Sequence, residues 1–213
     1  MPRWASFDCY GTLIDWNAGI RAELARVFGD DRADARLAAY HELEPELEHD
    51  GQLSYREVMT EAMRRLGAPG GEEAGLAGSL PTWQPFPEAS AALQELRNRG
   101  WRLGILSNTD RDLIDASIAA IGIPFGAAIV AGDLGSYKPA PRHWEAFREH
   151  TRVQPEAHVH VAQSLYHDVG TATELGIPSI WINRLGEPPD PRPCATLSSL
   201  TGLADALDEI VPG

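Results

Sequence analysis

One strand-like run stands alone at the start of this chain: Trp4-Ala5-Ser6-Phe7, ending in an acid at Asp8 and followed by Gly11 and Thr12. The next comparable run begins at Arg102, beyond a long charged block with helical patterning. A single strand leaves its N–H and C=O groups unpaired, so Trp4–Phe7 has to join strands that lie far away in sequence. The fold is therefore a sheet that tolerates a large insertion after its first strand. A carboxylate at the C-terminal end of a buried strand, opening into a glycine turn, is where open α/β sheets place their chemistry.

The inserted block is rich in Ala, Leu and Glu, and its spacing predicts helices over Ala18–Phe28, Asp34–Glu48, Ser54–Leu66 and Glu72–Ser79. Ser54 with Glu57 three residues later has the form of a capping box. The prolines of PTWQPFPEA then end the helical pattern and read as a linker. Beyond it, helices and strands alternate. Helix Pro87–Arg99 leads to strand Arg102–Ser107, Asp110–Ile121 to Ala127–Ala131, and Pro141–His150 to His158–Ala162. Helix Leu165–Leu175 leads to strand Ser179–Ile182, and a last helix covers Leu203–Ile210. This pattern predicts an α/β fold: a doubly wound parallel sheet over 1–14 and 86–213, with an all-helical cap inserted at 15–85.

In a parallel sheet the C-terminal strand ends share one edge, so residues distant in sequence can meet there. The first end offers Asp8, Tyr10 and Thr12, and the second Ser107 and Asn108. Lys138 lies beyond the third, and Gln163, Ser164 and Asp168 follow the fourth. This set suits attack by a carboxylate. Asp8 is the candidate nucleophile, and Ser107, Asn108 and nearby main-chain amides can hold an anion. Lys138 lets two carboxylates stay ionised together, since a pair about 4 Å apart repels by roughly 4 kcal/mol at an effective dielectric of 20. Asp168 is then free to orient or deprotonate water.

The formal charge of −13 excludes the basic face that nucleic acid or an anionic membrane requires, while a small anionic substrate stays compatible through local donors. Two cysteines fit a reducing cytoplasm, and the start of the chain shows no basic and apolar leader. No apolar run has the length of a membrane span. A homodimer is left open.

The four stations, in this order and with this insertion, closely resemble the haloacid dehalogenase superfamily of hydrolases, over essentially the whole chain. The resemblance implies a Rossmann-like core and an aspartyl-ester intermediate. Tyr10 stands where the phosphatase branch has its acid, and Ala162-Gln163 where that branch has Gly-Asp. Tyrosine at that position is similar to the 2-haloacid dehalogenase branch, in which Asp8 would displace halide by SN2 attack and water would then open the ester. By this analogy Thr12, Lys138 and Asp168 support the nucleophile and the water. Ser107, Asn108 and the amides near Cys9 and Tyr10 hold the substrate carboxylate. Gln163, His167, Trp16 and His41 complete the pocket, with Asn17 and Tyr55 as further cap residues above it. The branch's halide-binding cap arginine has no counterpart here, Arg36 and His41 being the nearest candidates.

No cofactor is expected, and any weak magnesium would use Asp8, the Tyr10 carbonyl and Asp168. The resemblance leaves two rivals: a magnesium-dependent phosphatase of a small phosphate ester, and a catalytically silent binding protein. Other polar residues read as structural. Cys9 is a packing thiol, His158 and His160 are ordinary strand residues on one face, and acidic Glu42–Asp50 is a solvated helix face.

Overall fold

The structure, a computed structural model, describes residues 2–49 and 51–213. Strands β1 (Arg3–Phe7), β2 (Trp101–Ser107), β3 (Ala127–Val130), β4 (His158–Ala162), β5 (Ser179–Ile182) and β6 (Ala195–Leu197) form one sheet in the order β3-β2-β1-β4-β5-β6. Every pairing is parallel. The isolated N-terminal run thus lies at the centre, with β2 on one side and β4 on the other. The winding reverses at this point, which opens a crevice beyond the C-terminal ends of β1 and β4. Asp8 is the first residue after β1 and sits in that crevice.

Helices α1 (Trp16–Phe28), α2 (Asp30–Glu48), α3 (Tyr55–Arg65) and α4 (Gly75–Ser79) make up the inserted block and pack on one another. Asp15 caps α1 by accepting from the Ala18 amide at 3.1 Å. Gly19 inside α1 is dictated by packing, because a Cβ there would lie 2.4 Å from the Trp83 ring. The Ser54 capping box forms at the start of α3, as its sequence predicts. The second half of the chain adds α5 (Ala89–Asn98), α6 (Arg111–Ile121), α7 (Ala131–Leu134), α8 (Arg142–Thr151), α9 (Gly170–Glu174) and α10 (Leu203–Ile210).

Some elements differ from the sequence expectation. Helix α2 starts four residues earlier than the predicted Asp34, because Gly29 at φ +95° turns the chain at once and Asp30 and Asp31 suit the first helical turn. The single helix expected over 165–175 divides into a π-helical turn at Leu165–Val169, which carries Asp168, and the short α9. Strand β6 and the one-turn α7 were not expected. β6 is three residues long, only partly buried, and follows a proline-rich run, so it carries almost no strand signal. The proline linker holds a 3₁₀ turn at Leu80–Thr82.

Candidate active site

Lys138 is the hub of the strand-edge cluster. Its side chain is buried, and the ammonium donates to Asp8 Oδ1 at 2.9 Å, Asp168 Oδ1 at 2.7 Å and the Leu106 carbonyl at 2.9 Å. All three of its protons are therefore committed. Burial alone would depress this amine, but Asp168 and Asp8 outweigh it and raise its pKa above the ordinary lysine value. Thr12 donates to the other oxygen of Asp8 at 2.7 Å and accepts from the Gln163 amide at 2.9 Å, so the Asp8 carboxylate is oriented from two sides. Burial pushes the Asp8 carboxyl up, against the opposing pull of Lys138. Burial also opposes ionisation of Asp168, yet Lys138 and His160 hold that group well below the usual carboxylate range. Asp168 is the ionised base-like partner, and Asp8 the desolvated and hence more reactive one.

Behind Asp168 runs a buried chain that the sequence reading did not anticipate. His160 Nε2 meets Asp168 Oδ1 at 2.8 Å, Ser6 Oγ meets His160 Nδ1 at 2.8 Å, and His158 Nε2 meets Ser6 Oγ at 2.7 Å. An ionised carboxylate only accepts, so His160 Nε2 donates, Ser6 donates to His160 Nδ1, and His158 donates to Ser6. His158 and His160 do share a strand face, as expected, but they are not idle strand residues. They fix the orientation of Asp168.

The remaining predicted residues lie around a cavity of about 400 Å³ bounded by Asp8, Tyr10, Trp16, His41, Ser107 and Gln163, among others. Trp16 and His41 stack at 4.7 Å on its cap side, with Asn17 and Tyr55 also lining it. The Tyr10 phenol turns toward Ser117 at 3.1 Å, and burial raises its pKa further, which removes it as an acid. Cys9 is fully buried and its thiol is pushed up by burial, as befits a packing residue. Among the described residues the amides of Cys9, Tyr10 and Asn108 have no main-chain acceptor, and Ser107 Oγ is buried without a partner. These four donors are unspent within the chain and chemically suited to an anion. The His167 amide donates to Ser164 Oγ at 3.0 Å, the same hydroxyl meets His167 Nδ1 at 3.1 Å, and burial lowers the imidazole pKa to about 4.

The Asn108 side chain departs from its expected role. Its Oδ1 accepts from the Lys138 amide at 2.6 Å, while Nδ2 donates to the Lys138 carbonyl and to Glu48 Oε2, each at 3.0 Å. It clamps the Lys138 loop and has no donor left for a substrate. Arg36 is likewise placed elsewhere, its guanidinium 4.8 Å over the Phe28 ring, and it does not line the cavity.

The acidic helix face was misjudged in the same region. Glu44 and Glu48 are buried at 7% and 5% exposure and line the cavity, while Asp50 lies outside the described residues. Glu44 Oε1 accepts from Tyr40 at 2.9 Å and from Tyr55 at 2.7 Å. Burial pushes the Glu44 carboxyl up to about 7 and that of Glu48 well above the carboxylate range. Arg184, two residues past β5, also reaches the cavity but is held by Glu88 at 2.9 Å and the Thr12 carbonyl at 3.0 Å. Its position at a fifth strand end was the available signal.

A family model described as haloacid dehalogenase-like hydrolase matches residues 3–176. The chain belongs to that family. Among relatives of the haloacid dehalogenase-like hydrolases, an (S)-2-haloacid dehalogenase 4A from Burkholderia cepacia is 27% identical over 195 residues, covering 86% of this chain and 84% of its own. A haloacetate dehalogenase H-2 from a Moraxella species is 29% identical, covering 85% of each chain. In solved structures, an L-2-haloacid dehalogenase superposes with a TM-score of 0.87 at 25% identity, covering 97% of this chain and 98% of the other. The Xanthobacter autotrophicus L-2-haloacid dehalogenase with chloropropionic acid covalently bound shares the fold at a TM-score of 0.84 and 22% identity, with coverages of 97% and 98%.

The residues proposed for a weak magnesium ion do not form a fitting donor set. The Lys138 ammonium already lies against both Asp8 Oδ1 and Asp168 Oδ1, and no cluster of three His, Cys, Asp or Glu side chains among the described residues is placed to hold a metal. The carboxylate pair already holds a cation supplied by the chain.

Proposed function

We propose that this hydrolase cleaves a small organic acid bearing a displaceable group at the carbon next to its carboxylate, with halide as the leading candidate for that group. The supporting observation is Asp8, desolvated at the cavity floor with one oxygen on Thr12 and the other on Lys138. An Asp8 oxygen attacks the carbon, the C–halogen bond breaks, and an ester forms as halide leaves with the electron pair. Water polarised by Asp168 then attacks the Asp8 carbonyl carbon, and the C–O bond on the enzyme side breaks to free a hydroxy acid. Ser107 and the amides of Cys9, Tyr10 and Asn108 hold the substrate carboxylate. The curated relatives that act on 2-haloacids and haloacetate support this substrate class.

The free thiols, Cys9 buried and Cys194 exposed, support a reducing cytoplasm as the site of action. No helix among the described residues is long and apolar enough to cross a membrane. The ester route makes a sharp test. In a single turnover of 2-chloropropionate in H₂¹⁸O, the label should enter Asp8 and the first product should carry unlabelled oxygen. Label appearing directly in that product refutes the ester. Phosphate release from an aryl phosphate that depends on magnesium would instead establish the phosphatase rival.

A further inference from the structure

Glu44 and Glu48 stand four residues apart on α2 and so share one helix face, the one that roofs the cavity. What surrounds them is neutral. Tyr40 and Tyr55 orient Glu44, and Asn108 anchors Glu48, with His167 Nε2 at 3.7 Å. The two cations lining the cavity are already engaged, Lys138 by Asp8 and Asp168, and Arg184 by Glu88. Between the two glutamates, Pro45 lacks an N–H, so the His41 carbonyl loses its helical donor and adds an acceptor to the same turn. Asp168 Oδ2, fully buried and lining the same cavity, is a further acceptor without a partner, while unpartnered Ser107 Oγ lies beside Asn108. Trp16 Nε1 and Arg184 Nε, also on the cavity wall, are unpartnered N–H donors. Among the described residues, however, no cation lies within ion-pair distance of Glu44 or Glu48, and two buried carboxylates on one helix face call for a cationic ligand.

We propose that the substrate is zwitterionic: besides the carboxylate at the strand edge it carries a protonated amine, which Glu44 and Glu48 receive. This inference rests on the Asp8-ester reading only for the position of the reacting carbon. Glu48 holds the Asn108 amide that a substrate carboxylate would otherwise use, and so confines that carboxylate to Ser107 and the main-chain amides. The amine is then left to Glu44 and Glu48. Such a recognition pair favours an amino-substituted 2-haloacid over a plain one.

Equilibrium binding to the full wild-type chain tests this without turnover, using 4-aminobutanoate and butanoate at pH 8 by calorimetry. The amino acid should bind about tenfold or more tightly, and the ratio should fall toward one in Glu44→Gln and in Glu48→Gln. Butanoate binding as tightly as 4-aminobutanoate, or a ratio that both variants leave unchanged, overturns the proposal. Halide release from 2-chlorobutanoate and 4-amino-2-chlorobutanoate separates the two readings. Preference for the amine without any halide release removes the ester reading and keeps the amine site. Faster turnover of 2-chlorobutanoate with butanoate bound as tightly removes the amine site and keeps the ester.

Discussion

The floor and the roof of the cavity both carry two buried carboxylates, and they treat them in opposite ways. On the floor, Asp8 and Asp168 share the Lys138 ammonium, so one of their two charges is cancelled before any ligand arrives. On the roof, Glu44 and Glu48 are met by hydroxyls and an amide, with the His167 ring farther off at 3.7 Å. Neutral donors orient a carboxylate but do not cancel its charge, and burial therefore raises the roof acids while Asp168 on the floor is held low. A floor with its own cation is pre-organised for chemistry; a roof with none is built to be completed by what binds.

The comparison breaks most sharply at Asp8. Asp8→Asn keeps the size and the Thr12 contact but removes the proposed nucleophile, so turnover should fall by about four orders of magnitude or more while the folded state persists. Halide release and far-UV circular dichroism check both halves. Next comes Lys138→Ala, which strands two buried carboxylates. Breaking such a pair costs about 3–5 kcal/mol, read from urea unfolding. The folded Asp168 pKa lies below its unfolded value, so this group stabilises the fold above about pH 4 and loses that effect on further acidification. Without Lys138 the folded pKa of Asp168 rises, so this stabilisation should shrink or reverse, and the acid limb of the pH–rate profile should move upward. An unchanged limb would mean that Lys138 does not set the ionisation of the floor.

The floor could be read from sequence because each residue follows directly from a strand end: Asp8 after β1, Ser107 closing β2, Asp168 soon after β4. Topology then brings the ends together. The roof could not, since a glutamate covering a cavity and one facing solvent leave the same i, i+4 pattern. Only the packing of α2 over the strand edge distinguishes Glu44 from its exposed neighbours. The histidine chain fell between these cases. Alternation placed His158 and His160 on one face, but their link is Ser6, and the β1–β4 register that sets Ser6 beside His160 is not written in either strand. Arg184 was missed for a simpler reason: it follows the fifth strand end, and four ends already explained the chemistry.

The roof itself can be probed through stability. The Glu44 carboxyl is raised from 4.5 to about 7 on folding, so the folded chain keeps a proton that the unfolded chain has lost. Stability therefore declines as pH rises from about 4.5 to about 7, and the whole cost is present above that. Glu44→Gln removes the titration while keeping an acceptor for Tyr40 and Tyr55. It should stabilise the fold by about 3 kcal/mol at pH 8 and by almost nothing at pH 4, from urea unfolding at the two values. A stabilising change at a binding residue is the expected mark of a group retained for its ligand. Equal effects at both pH values would show that the Glu44 charge carries no such cost.

The smallest effect concerns the tie between the two regions. Asp110 follows β2 and begins α6, yet its carboxylate is not spent on that helix. Its two oxygens accept instead from the amides of Tyr55 and Arg56, at 3.1 and 3.0 Å, at the start of α3. A negative group there also suits the positive end of α3, to which the Ser54 capping box adds its own hydrogen bonds. Tyr55 is the first residue of that helix and the hydroxyl that orients Glu44, so Asp110 sets the roof by holding α3 to the sheet. Asp110→Asn retains one acceptor oxygen and presents an amide donor to the other N–H, which should cost about 1–2 kcal/mol in urea unfolding. If the tie positions the roof, the same variant should raise KM for an amine-bearing substrate several-fold and leave kcat nearly unmoved, because Asp8, Lys138 and Asp168 keep their places. A fall in kcat with KM constant would mean that α3 acts on the floor, and the separation of the two regions would fail.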